Sequence, residues 1–107
     1  MAVNQQTLLK LQSLEQLYRH GYHSTTVDAA IDKLVGSEQA RVEQELARLQ
    51  ERLGKFEEQY LISSAEFYRQ FRAGEMGDEA DFFEWSAFYQ MWLSTREQLD
   101  LLNLPAA

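Results

Sequence analysis

Apolar positions recur along most of this chain at the three- and four-residue steps of an α-helix. Leu8, Leu11, Leu14, Leu17 and Tyr18 mark one stripe, predicting a first helix over about residues 4–20. "HGYHS" interrupts it, with Gly21 suited to the left-handed position past a helix end. A second helix is expected over about 26–60, opened by a Thr25/Asp28 capping box. Its seam steps through Val42, Leu46, Leu49, Leu53, Phe56 and Tyr60, while Val27, Ile31, Leu34 and Val35 continue the face upstream. Gln39 occupies one seam position and Glu51–Lys55 is spaced as an i, i+4 ion pair. Gly36 is the expected break or bend, since an interior glycine costs roughly 1 kcal/mol against alanine.

Two shorter patterns follow. Ser63 and Glu66 form a capping box that opens a helix over about 64–73, closed by Gly74. Asp78 is the expected cap of a last helix over about 79–102, with Glu79, Asp81 and Glu84 near its positive end. On that helix Phe82, Trp85, Phe88, Tyr89, Trp92, Leu93 and Leu99 fall within about 140° of arc, an unusually bulky core face. Arg96 shares the arc and is expected to reach solvent or a carboxylate. Phe83, Met91 and Leu101 lie off it and are the candidate partner-binding residues.

A helix over 26–60 is about 50 Å long at 1.5 Å per residue, more than a round monomer of this size can hide. The expected architecture is all-α. It is a single domain over residues 1–107, an elongated helical bundle or coiled-coil hairpin with one long central helix. A dimer is expected, with Val42, Leu46, Leu49, Leu53 and Phe56 as its seam.

Composition narrows the chemistry. The chain has 107 residues, no cysteine and one proline, so disulfides and thiolate metal sites are excluded. "MAVNQQTLLKLQ" lacks the basic start and apolar segment of a signal peptide, and no run reaches membrane-span length, so a cytoplasmic location is expected. The net charge is −7, but residues 1–35 balance Lys10, Arg19 and Lys33 against Glu15, Asp28 and Asp32. The acidic remainder opposes nucleic acid, and only the neutral first third could approach it weakly.

No catalytic set emerges. His20 and His23 straddle Gly21 with no third ligand nearby. Asp81 and Glu84 sit at i, i+3, as in the E-x-x-D helices of Mg²⁺-dependent NTP-pyrophosphohydrolases, but no second pair faces them. "AGEMGDEA" lacks the Lys-Ser/Thr of a phosphate loop. No enzyme, cofactor or metal is expected, and a Mg²⁺-dependent helical hydrolase ranks third among the readings.

The run "SSAEFYRQFRAGEMGDEADFFEWSAFYQMW", after "GYHSTTVDAAIDKL" and a charged heptad helix, resembles a family of small helical bacterial proteins frequent in cyanobacteria. The signature falls on Ser63–Tyr68, Phe71–Asp78 and Asp81–Trp85. Most members have no assigned activity, and some are antitoxin-like. The resemblance implies a protein–protein interaction module that is antitoxin-like, and the acidic C-terminal half suits a small basic toxin as its partner. "LYRHGYHSTTVDAAIDKL" also resembles the helical part of ribbon-helix-helix antitoxins. That fold reads DNA through a preceding strand, and "MAVNQQTLLK" shows no alternation and one cation. A dimeric scaffold or regulator with weak DNA binding through residues 1–35 is therefore the alternative.

Overall fold

The computed structural model describes residues 4–104, and over these the chain is all-α. Its helices are α1 (Gln5–Arg19), α2 (Thr25–Tyr60), α3 (Ser64–Arg72) and α4 (Ala80–Leu102), with no strand among the described residues. The chain divides into two compact units, Met1–Leu34 and Val35–Ala107.

The caps explain most boundaries. Asn4 accepts from the Thr7 N–H at 3.2 Å to open α1, and Gly21 takes φ +90° just past its end. Ser24, rather than a Thr25/Asp28 box, caps α2, its hydroxyl accepting from the Val27 N–H. The Asp28 carboxylate instead turns back to the Tyr18 phenol. Gly36 does not break α2. Its cost is small beside the continuous backbone ladder of good helix formers around it. α2 ends at Tyr60, and the residue after it, Leu61, is a non-glycine residue at φ 56° that is almost fully exposed.

Ser63 caps α3 through the Glu66 N–H at 3.1 Å, but the Glu66 carboxylate goes to Arg69 and Gln70 instead of closing the box. The Glu57 carboxylate accepts from the Ser64 N–H at 2.8 Å, tying α3 to the last turn of α2. Asp78 does not cap α4. The N-cap is Glu79, which makes no side-chain cap bond. The chain there enters the helix one residue later than the acid pattern suggests, a common margin at helix ends.

Within the second unit α4 runs antiparallel to α2. Phe56 stacks on Trp85 (centroids 5.4 Å), the Arg52 guanidinium lies over Phe88 (5.1 Å), and the Gln39 amide donates to the Leu102 carbonyl (3.1 Å). The polar seam residue Gln39 thus satisfies the end of α4, and its amide also reaches Asn103 Oδ1. Val42, Leu46, Leu49 and Leu53 are 1%, 8%, 1% and 5% exposed within one chain, and Phe56 is half-buried against Trp85. The expected dimer seam is therefore covered without a second copy.

Trp85 is the centre of this unit. It is fully buried, lies between Phe56 and Phe67, and stacks on Phe67 at 3.8 Å and 4°. Its Nε1–H donates to the buried Ser64 Oγ at 2.9 Å, which meets the requirement of a buried indole. Leu53, Phe67 and Phe82 complete the buried cluster, with Tyr60, Tyr68, Phe71, Tyr89 and Trp92 packed around it.

Candidate interaction surfaces

On the bulky face of α4, Phe82 and Trp85 are buried and Phe88, Tyr89, Trp92 and Leu99 are half-buried. Leu93 departs from that face, being 43% exposed. The aromatics of α3 reach Phe82, Phe83, Trp85 and Tyr89 and stop, and Leu93 lies a turn beyond. Conversely Ser86 and Thr95, which no apolar pattern marks, are buried. Arg96 pairs with Asp100 at 3.4 Å.

Phe83, Met91 and Leu101 are exposed at 56%, 46% and 60%. They do not join into one patch. Phe83 and Leu101 share an azimuth but stand about 27 Å apart along the helix, and Met91 lies about 80° round from both. Phe83 also sets its ring edge-on to Phe71, at 5.5 Å and 89°. Scattered single apolar residues of this kind are normal on a protein surface.

Asp81 and Glu84 have separate surroundings. Asp81 accepts the Tyr60 hydroxyl at 2.7 Å, and this bond pushes the Tyr60 phenol up to about 12. Glu84 lines a hollow of about 280 Å³ with Arg48, Glu51, Arg52, Lys55, Phe56 and Phe88. The surface ion pairs on this stretch of α2 are Arg41–Glu38 and Arg48–Glu45, in place of the expected Glu51–Lys55. His20 Nδ1 lies 2.8 Å from the Gln16 carbonyl. No group of three metal-ligating side chains occurs among the described residues, and none of their helices is long and apolar enough to cross a membrane.

The first unit presents a different surface. α1 has fifteen residues and buries none of them. Leu8, Leu9, Leu11 and Leu17 are exposed, and Leu14, Val27 and Ile31 are only half-buried. Between α1 and the first turns of α2 lies an open groove of about 540 Å³. Leu11, Leu14, Tyr18, Val27 and Ile31 supply its apolar lining, and Glu15, Asp28 and Asp32 its carboxylates.

Tyr18 pins the loop end of this groove. Its hydroxyl donates to Asp28 Oδ1 at 2.6 Å and accepts from the Ser24 N–H at 3.3 Å. The bond to Asp28, with a smaller contribution from burial, raises the phenol above its ordinary range. The leucine stripe of α1 is visible in the sequence. Its lack of cover is not, because cover depends on what packs against it.

Comparison with protein families, with curated proteins and with solved structures finds no match to this chain.

Proposed function

We propose that the chain is a protein–protein interaction module for a basic protein partner, acting by occupying that partner's surface. The observation that carries this reading is α1, a leucine-striped helix with no buried residue. A hairpin of about this length without disulfide or metal has too little core of its own, and covering its apolar face on association is the physical remedy. The net charge of −7 favours encounter with a cationic protein. The antitoxin-like role implied by the family resemblance is the specific form of this proposal, with the partner a small basic toxin. Self-association through Val42, Leu46, Leu49 and Leu53 has less support, since one chain already covers them.

The test is affinity capture of the intact chain from its source cells, followed by co-expression with what is recovered. A stoichiometric basic protein whose toxicity or activity is suppressed by co-expression is the expected result. Recovery of no partner, or of acidic proteins only, contradicts the reading. Salt-sensitive retention of a DNA fragment, abolished by removing the charges of Lys10 and Lys33, would favour the DNA-binding alternative.

A further inference from the structure

We infer that the groove between α1 and the first turns of α2 is the seat of one amphipathic helix whose apolar stripe is flanked by Lys and Arg. This rests on the interaction reading above and names the element that the partner would present.

The occupant's charge follows from the lining. Glu15, Asp28 and Asp32 border the groove, and no Lys or Arg lines it. The three cations of residues 1–34, Lys10, Arg19 and Lys33, lie outside the lining. Arg19 approaches Glu15 at 3.0 Å, but both side chains are more than half exposed, and such a pair is readily exchanged. A second copy of this chain is a poor occupant. Groove against groove would bring the same carboxylates of both copies together, and like charges facing each other across an interface oppose association. A helix with basic flanks places opposite charges there.

The occupant's conformation follows from the walls. Both are α-helices whose backbone groups are used internally, and neither offers a strand edge. A chain entering the groove must satisfy its own N–H and C=O groups, which a helix does and an extended segment does not. Leu11, Leu14 and Tyr18 on one wall and Val27 and Ile31 on the other suit side chains spaced i, i+3, i+4 and i+7. Leu8 and Leu34, each a turn further from the loop, are exposed and lengthen the apolar strip. A partner helix of about three to four turns spans it. The Tyr18–Asp28 bond holds the walls at the loop end, so the floor is formed before the occupant arrives.

The experiment uses the full chain and three fluorescent fifteen-residue peptides. One is a leucine-striped helix with lysine flanks. The second carries glutamate at the same flanks. The third has the composition of the first in scrambled order. Anisotropy gives affinity, and backbone amide shifts give location. The lysine helix should bind about tenfold or more tighter than the glutamate helix and the scrambled peptide. Its shifts should fall within residues 8–34. Leu11→Glu should abolish binding, and Asp32→Lys should narrow the preference between the two helices. Both residues are exposed, so neither change removes buried packing.

Equal binding of the three peptides, or shifts centred on α3 and α4, overturns the assignment. A micromolar dimer that Leu11→Glu dissolves also overturns it, in favour of a second copy. The two levels of proposal fail separately. A basic cellular partner that cross-links outside residues 8–34 removes the groove assignment and leaves the interaction reading. Groove-specific peptide binding with no basic partner in cells does the reverse.

Discussion

Residues 35–107 and residues 1–34 are written in the same helical pattern, yet they treat their apolar side chains differently. In the first region, Val42, Leu49, Phe67 and Trp85 are almost wholly inaccessible, and α2, α3 and α4 all contribute to the core cluster around Trp85. In the second, α1 buries no residue and leaves most of its leucines exposed. Periodicity therefore identifies which face is apolar. The number of elements available decides whether that face becomes core or stays exposed. Aromatic bulk sharpens the contrast, since eleven of the thirteen aromatic residues lie between Phe56 and Trp92.

The largest expected effect is at the centre of the second unit. Trp85→Ala should cost about 3–5 kcal/mol, the range for emptying a large aromatic site. Leu11→Ala, at an exposed groove position, should stay within about 0.5 kcal/mol. Urea melts followed by circular dichroism check both. Similar losses for the two would erase the distinction between the regions.

Ser64→Ala comes next. It removes the acceptor of the buried Trp85 Nε1–H and should cost about 1–3 kcal/mol, the penalty for an orphaned buried donor. Ser63→Ala, one residue away, removes only an exposed cap and should cost about 1 kcal/mol. If the two losses came out in the opposite order, the indole bond would not be the anchor described.

Leu61→Gly should stabilise, by about 1 kcal/mol or less. The left-handed backbone penalises leucine by about 1–2 kcal/mol, and glycine returns part of that as unfolded-state entropy. The leucine side chain is 89% exposed, so almost no burial is lost. A fall in melting temperature would show that Leu61 makes contacts that its exposure does not suggest.

The smallest effect is titration of Tyr60. Its folded value is raised to about 12 from the ordinary 10.0, first by the hydrogen bond to Asp81 and then by burial. A raised value stabilises the fold at every pH below about 10, and that contribution is lost as pH climbs toward 12. Phenolate absorbance should show a late-ionising tyrosine that returns to the ordinary range in Asp81→Asn. An unchanged titration in that variant would remove Asp81 as the cause.

Much of the architecture is legible in the residues. The three- and four-residue steps mark the helices, and Ser63 and Gly74 mark ends that the structure also uses. The errors lie where a local signal competes with a tertiary one. Asp28 resembles a capping-box member but is taken by Tyr18, ten residues away. Gln39 looks like a flaw in the seam and instead holds the carbonyl of Leu102. Seam spacing cannot distinguish an intramolecular neighbour from a second copy, and here α4 supplies one. The groove is the least legible feature. Leu11, Leu14, Val27 and Ile31 read as ordinary core positions, and nothing local signals that they stay exposed or half-buried.

Amide hydrogen exchange on the full chain tests this contrast most directly, because it reads local opening helix by helix. Amides of Val42–Leu53 and of Trp85–Thr95 should exchange only through global unfolding. Those of α1 should exchange orders of magnitude faster and slow sharply when the lysine-flanked helix is added. Equal protection of α1 and α4 in the isolated chain would contradict the account, since a helix with no buried residue would then be as firmly held as the core.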